Sequence, residues 1–97
     1  MPKFVMLSTL GPDGFARLSE NPERLREVSA EVEAMGVTVL DQFAVLGQWD
    51  FINIIEAPDE ETMAKVAISL GSRGTLKTMT LPIIEVDRFI EGLRRET

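Results

Sequence analysis

Few residues of this sequence have the chemistry of a binding or catalytic site. The candidates for a ligand site are Arg24, Trp49, Asp50, Asn53 and Thr78. A carboxylate beside a guanidinium group can hold a polar substituent or exchange a proton, an amide can orient a carbonyl group, and an indole ring can form an apolar wall. Such a set fits the binding of a small organic molecule, or a reaction in which the substrate supplies much of its own reactivity.

The chain contains no histidine and no cysteine. Their absence excludes Ser-His-Asp and Cys-His nucleophiles, disulfides, haem bound through histidine, and metal sites built from imidazole or thiolate. The acidic run Asp59-Glu60-Glu61 is typical of a helix N-terminus, which favours capping over metal binding. The sequence therefore predicts no cofactor and no metal, and it identifies no catalytic residue.

The overall charge and hydropathy of the chain limit its partners. Lysine and arginine total 10 against 16 aspartate and glutamate residues, a net charge of -6, so binding to nucleic acid is not expected. No apolar run approaches the length of a membrane span, and the N-terminal MPKFVMLSTL lacks a cleavage-site pattern. We expect a cytoplasmic protein without membrane contact, folded as one domain over residues 1–97.

Each candidate residue also has a purely structural interpretation. Asp50 can pair with Arg24 or accept a hydrogen bond from the loop backbone, and Trp49 can be a packing anchor. Asn53 lies in an otherwise apolar strand, where an amide costs free energy unless it is hydrogen-bonded. It can bond a neighbouring threonine or a buried water, or it can face a cavity between the sheet and a partner subunit. Thr78 would add a polar contact to such a cavity.

Four strands and three helices are predicted to position these residues. Runs of β-forming residues bounded by turn residues predict strands over 3–9, 37–46, 49–56 and 75–81, the last ended by Pro82. Asn21-Pro22 predicts the start of a first helix, which Gly36 ends. Asp59 caps a second helix. Each helix carries one apolar stripe: Leu25, Val28, Val32 and Met35 in the first, and Met63, Val66, Ala67 and Leu70 in the second. An amphipathic C-terminal helix carries Val86, Phe89, Ile90 and Leu93 on one face. Segment 10–21 is predicted to be a loop.

The order of these elements predicts an α+β fold of the ferredoxin-like type, βαββαβ, followed by a C-terminal helix. Right-handed crossovers then fix the spatial strand order as 4-1-3-2. Gly47-Gln48 is predicted to form a two-residue type II′ turn between the second and third strands. This topology brings the start of the first helix, the hairpin turn and segment 71–74 to one end of the sheet, so Arg24, Trp49, Asp50 and Arg73 are expected there.

Both faces of the predicted sheet are apolar. Phe4 and Met6 alternate with Val5 and Leu7 in the first strand. In the third strand Phe51, Asn53 and Ile55 alternate with Ile52 and Ile54, and in the second strand Val39, Phe43 and Val45 alternate with Leu40, Ala44 and Leu46. Since helices cover only one face of this fold, the other face requires a second layer. A second copy related by a two-fold axis is the simplest cover, so we expect a homodimer or a higher homo-oligomer.

A set of motifs carries a family resemblance over nearly the full length of the chain. These are Asn21-Pro22 with Arg24, Gly36, Leu46-Gly47-Gln48-Trp49-Asp50, Glu56-Ala57-Pro58-Asp59, Leu70-Gly71-Ser72 with Gly74, and Thr78 with Thr80-Leu81. In their order and spacing the chain resembles the GYD domain family. The resemblance implies a dimeric α/β barrel, in which two ferredoxin-like sheets enclose a shared interior. Trp49 stands where the family motif has tyrosine, and an indole cannot act as an acid or base near neutral pH.

Two functions follow as the main alternatives, because related barrels include enzymes and binding modules alike, and a stress or regulatory role that needs a protein partner is a third. The first is a binding or assembly module, with a possible cavity for a small apolar ligand between the sheets. The absence of histidine, of cysteine and of a tight acid–base cluster favours it, so the protein is not expected to be an enzyme. The second is a cofactor-independent oxygenase or isomerase, in which Arg24 and Asp50 form the polar pair and Asn53 orients a small organic substrate.

Overall fold

The computed structural model describes residues 1–11, 13–73 and 76–95. Within these ranges the elements are β1 (Lys3–Leu10), α1 (Gly14–Glu20), α2 (Arg24–Ala34), β2 (Thr38–Ala44), β3 (Phe51–Glu56), α3 (Glu60–Ser72), β4 (Leu76–Ile83) and α4 (Val86–Arg95). The strands form one antiparallel sheet in the order β2-β3-β1-β4. The ferredoxin-like α+β fold and the strand order predicted from the sequence are both confirmed.

The core lies between one face of this sheet and helices α2 and α3. Alternate residues of β1 and β3 point towards the helices and meet the apolar stripes that the sequence spacing predicts. The buried residues of this cluster are Phe4, Met6, Val32, Val37, Ile55, Ala57, Met63, Val66 and Leu70. Because all of them lie on this side, the sheet face turned away from the helices, here called the outer face, contributes nothing to the core.

A β-bulge in β2 changes which side chains share a face. Val39 pairs with Ile55 and Phe43 pairs with Ile52, with a register shift between Val39 and Asp41. An extra residue reverses the alternation beyond it. The prediction that Val39 and Phe43 share a face is therefore wrong. Val39 packs against the core, whereas Phe43 lies on the outer face and is 55% exposed.

The connection between β2 and β3 is longer than a two-residue turn. It covers residues 45–50 and is closed by a hydrogen bond from the Val45 N–H to the Asp50 carbonyl, at 2.9 Å. Gly47 has a φ of 127°, a conformation that favours glycine, but the predicted type II′ turn at Gly47-Gln48 is wrong. The reason is that Asp50 is bound to the neighbouring strand β1, which ends the β2–β3 pairing at Ala44 and Phe51.

Segment 10–21 contains a helix where the sequence predicted a loop. Helix α1 has Gly14 buried at its first position, and the Gly14 N–H donates to the Gly11 carbonyl at 2.9 Å. The glycines in this segment disfavour a helix, which is why the sequence predicted a loop. Pro12 lies outside the described residues. The next helix, α2, starts at Arg24 rather than at Pro22, because the Arg24 N–H donates to the Asn21 carbonyl in a preceding turn.

Other element ends agree more closely with the sequence. Asp59 caps α3 as predicted, its Oδ1 accepting the Thr62 N–H at 2.7 Å, and Gly36 follows α2 with a φ of 102°. Strand β4 continues through Pro82 to Ile83, which corrects the predicted end at Leu81; β4 is an edge strand, and proline is tolerated there. The predicted first residue of that strand, Thr75, lies outside the described residues.

Helix α4 stands apart from the rest of the fold. None of its residues is buried, and the described chain measures 55 × 28 × 19 Å. Its radius of gyration is 15.1 Å, whereas a compact domain of this length has about 12.5 Å. The excess follows from a helix that projects beyond the sheet. In the described part of the chain, no helix has the length and apolar character needed to cross a membrane.

Candidate functional site

A cavity of about 370 Å³ lies between the sheet and helices α1 and α2, and we call it the helix-side cavity. Its apolar wall is formed by side chains of both layers: Met6, Leu10, Leu18, Leu25, Val28, Val32, Phe51, Ile55, Leu70 and Leu76. Because α1 is short, part of the space between the helices and the sheet remains empty at that end. Under α3 the side chains of the helix fill this space. The volume is in the range of small-molecule sites.

Polar side chains from adjacent strands line the same cavity. Asn53 of β3 lies between Met6 of β1 and Gln42 of β2 in the strand register. Ser8 of β1 is 2% exposed. In the described part of the chain, the side chains of Ser8, Gln42 and Asn53 have no hydrogen-bond partner. These groups are available to a molecule in the cavity.

Three arginines stand where the cavity opens to solvent: Arg17 of α1, Arg24 of α2 and Arg73 after α3. Arg24 Nη1 lies 3.1 Å from Glu27 Oε2 and 3.2 Å from Glu31 Oε1, and Arg73 also hydrogen-bonds Glu31. The Arg73–Glu31 pair joins the end of α3 to α2 at the open end of the cavity, whereas the two pairs made by Arg24 lie within α2.

The ion pairs of this cluster shift the pKa values of Glu31 and Arg24. Hydrogen bonding from Arg73, aided by Arg24, holds the pKa of Glu31 below its ordinary value. Hydrogen bonds to Glu27 and then Glu31 raise the pKa of Arg24. Arg17 has no ionic partner among the residues that the structure describes. The cluster therefore contains three arginines and two carboxylates.

The structure brings only part of the predicted site together. Arg24 and Asn53 both line the helix-side cavity. Asp50 does not pair with Arg24; its Oδ2 accepts the Leu10 N–H at 2.9 Å, which is the backbone alternative. Trp49 is half-buried in the β2–β3 connection. Neither of these two residues is among the described residues that line the cavity, and the same holds for Thr78.

The strand register turns Asn53 towards the helices, on the same face as Met6 and Ile55. Of the two alternatives for Asn53, the one in which it faces a cavity between the sheet and a partner subunit is therefore wrong. Thr78 and Thr80 pair with Ser8 and Met6 and also turn towards the helices, where the buried Thr80 Oγ1 has no partner within the described residues.

Sequence reasoning missed Ser8, Arg17 and Gln42 as cavity residues. Arg17 is not recognisable as a cavity residue because its segment is predicted to be a loop. Gln42 is not recognisable because no residue type marks the bulge that turns it towards the helices. Ser8 had a detectable signal, since it continues the alternation of Phe4 and Met6 on the core side of β1. A hydroxyl at that position is a buried polar group that requires a partner.

A second surface is formed by the outer face and helix α4. On the outer face Phe43, Met79 and Leu81 are exposed next to the half-buried Leu7 and Ile52. The stripe of α4 consists of Val86, Phe89, Ile90 and Leu93, each at least 40% exposed. A hydrogen-bonded ion pair between Lys3 and Glu85 holds the start of α4; it raises the pKa of Lys3 and lowers that of Glu85.

Comparisons with known proteins agree with this architecture. The model of the GYD domain family matches residues 4–93. A relative from Thermus thermophilus is 50% identical over 95 residues, covering 97% of this chain and 100% of that protein, and it is named "Glutamine synthetase and cystathionine beta-lyase binding protein".

Two solved structures share the fold. FFRP-DM1 has a TM-score of 0.60 at 17% identity, covering 87% of this chain and 100% of that one. TTHA0845 from Thermus thermophilus has a TM-score of 0.55 at 17% identity, covering 88% and 95% of the two chains. At this identity the likeness concerns the fold alone.

Proposed function

The chain belongs to the GYD domain family, and we propose that it is a non-catalytic binding module that docks onto metabolic enzymes. The observation that carries this proposal is the apolar stripe of α4. Val86, Phe89, Ile90 and Leu93 follow one another at i, i+3, i+4 and i+7, and none of them is buried by the chain's own fold. This spacing is typical of a helix that lies in a groove of another protein.

The relative from Thermus thermophilus supports the choice of partner. It is half identical over its whole length, and its name describes a protein that binds glutamine synthetase and cystathionine beta-lyase. By this likeness, the groove that accepts α4 belongs to an enzyme of one of these two classes. The whole chain, residues 1–97, acts as one module in this proposal.

The outer face has a different occupant, which is a second copy of the chain. Its apolar side chains extend over all four strands, exposed on β2 and β4 and half-buried on β1 and β3, and sheet-on-sheet packing about a two-fold axis buries such a face in both copies at once. A homodimer presents two α4 helices. Two weak contacts to a multimeric enzyme then act together, which raises the overall affinity.

The alternative of a cofactor-independent oxygenase or isomerase has less support. It depended on Arg24 and Asp50 as a polar pair, but the Asp50 carboxylate is bound to the β1 backbone and Arg24 to two glutamates. Among the described residues that line the helix-side cavity there is no carboxylate. Binding is the function that these groups favour.

The test measures binding of the purified full-length protein to glutamine synthetase and to cystathionine beta-lyase from the same organism, by surface plasmon resonance. We expect saturable binding to at least one enzyme. The double variant Phe89→Ser/Leu93→Ser is expected to weaken it more than about thirtyfold, since two apolar anchors are lost. Arg88→Ser, on the polar side of α4, is the matched control and is expected to bind as the wild type does.

Two results would overturn the proposal. One is the absence of binding to either enzyme, or an affinity that the double variant leaves unchanged. The other is a double variant that light scattering shows to be monomeric while Arg88→Ser is dimeric, because α4 would then be part of the homodimer interface rather than the enzyme contact.

A further inference from the structure

We propose that the helix-side cavity is a binding site for a small organic monocarboxylate, with its apolar part between sheet and helices and its carboxylate at the arginines. This site lies on the helix side of the sheet and involves no residue of α4; of the described residues that line it, Phe43 at the end of β2 is the one that the register assigns to the outer face. The inference is therefore independent of enzyme docking, and either can fail without the other.

The interior of the cavity selects an apolar body. Leu18, Leu25 and Val28 line it from the helices, and Met6 and Phe51 line it from the sheet. A volume of about 370 Å³ accepts a ring or a short alkyl chain with room for a polar end group. A fully polar ligand would leave these side chains without a favourable contact.

Unpaired polar groups inside the cavity indicate that it is not only a packing gap. The Ser8 hydroxyl belongs to a residue that is 2% exposed, lines the cavity and has no partner in the described part of the chain. The Asn53 amide lines the same space, also without a partner there. Among the described residues, the buried side-chain atom without a partner is Thr80 Oγ1, so the polar atoms of Ser8 and Asn53 are reached through the cavity, where a ligand can supply their hydrogen bonds.

The charge at the opening selects an anion. Arg17, Arg24 and Arg73 line the cavity, whereas the carboxylates paired with them are Glu27 and Glu31. Within this set of five side chains three cations stand against two anions, in a protein whose net charge is -6. Arg17 is the cation without an ionic partner in the described residues, and its planar guanidinium can bind a carboxylate through two hydrogen bonds.

The test uses 3-phenylpropanoate as the probe and records amide chemical shifts of the full-length, isotope-labelled protein during titration. The alcohol and the amine of the same skeleton, 3-phenylpropanol and 3-phenylpropylamine, are the matched controls. We expect saturable shifts of the Ser8 and Asn53 amides with the carboxylate, binding of the alcohol about fivefold weaker, and no saturable shift with the amine.

Variants assign the site. Arg17→Gln is expected to lower the affinity for the carboxylate about fivefold and to leave the affinity for the alcohol unchanged. Arg26→Gln is the control, because Arg26 lies on α2 outside the cavity lining and pairs with Glu23 at 3.7 Å. Equal affinity for carboxylate and alcohol, or shifts confined to the outer face around Leu7 and Met79, would overturn the inference. The absence of saturable carboxylate binding to the folded wild type would do so as well.

Discussion

The carboxylate of Asp50 is bound to the backbone of Leu10: its Oδ2 accepts the Leu10 N–H at 2.9 Å. Asp50 also donates its backbone N–H to the Ser8 carbonyl, at 2.9 Å. Through these two bonds the β2–β3 connection is attached to the end of β1, the strand that also carries the Ser8 hydroxyl of the cavity. The residue of the family motif that looks most like a catalytic acid therefore acts here as a structural one.

Asp50→Ala is expected to lower the free energy of unfolding by about 1–2 kcal/mol, because the part-buried Leu10 N–H loses its acceptor. The measurement is urea denaturation at a fixed protein concentration. Asp41→Ala, an exposed carboxylate of β2 without a hydrogen-bond partner in the described residues, is the control and is expected to change stability by less than about 0.5 kcal/mol. An equal effect of the two substitutions would contradict the structural role of Asp50.

The elements that the sequence predicts well are those whose signals are local. Asp59 and Gly36 mark helix ends by their own chemistry, and the apolar spacing of Val28 and Val32 marks the buried face of α2. Short runs of β-forming residues between them leave few topologies open. The strand order then follows from the handedness of the crossovers.

The candidate site was only partly predictable because it depends on non-local geometry. Asn53 is recognisable as a polar residue in an apolar strand, but the face to which it points depends on how β3 pairs with β1. The bulge between Val39 and Asp41 places Gln42 opposite Asn53 in the strand register, and no residue type in that segment indicates a bulge. Arg17 becomes a cavity residue only once α1 is known to be a helix.

Asn53→Leu tests the unpaired amide of the cavity floor. We expect the substitution to raise the free energy of unfolding by about 0.5–1 kcal/mol, because a half-buried polar group without a partner is replaced by an apolar one. The larger side chain also occupies the cavity, so binding of 3-phenylpropanoate is expected to be lost. A loss of stability would contradict the conclusion that the Asn53 amide is unpaired.

The N-cap of α3 gives a prediction about pH. Hydrogen bonding from Thr62 lowers the pKa of Asp59 in the folded protein, so its stabilising effect is complete above the ordinary aspartate pKa and is lost as the pH falls through the lowered value. In denaturation at a series of pH values, Asp59→Ala should be less stable than the wild type at neutral pH, and the difference should shrink in acid. A difference that stays constant at every pH would contradict this origin.

The outer face makes the homodimer testable. Met79 is 45% exposed there, beside Leu7 in the register, and a lysine at its position would place a charge from each copy in the buried sheet–sheet contact. We expect the wild type to sediment at twice the 10.8 kDa chain mass, and Met79→Lys to weaken dimerisation by at least about a hundredfold. Ala64→Lys, on the exposed side of α3, adds the same charge to the opposite side of the subunit and is expected to remain dimeric. A monomeric wild type, or a Met79→Lys variant that stays as dimeric as Ala64→Lys, would show that something other than a second copy covers this face.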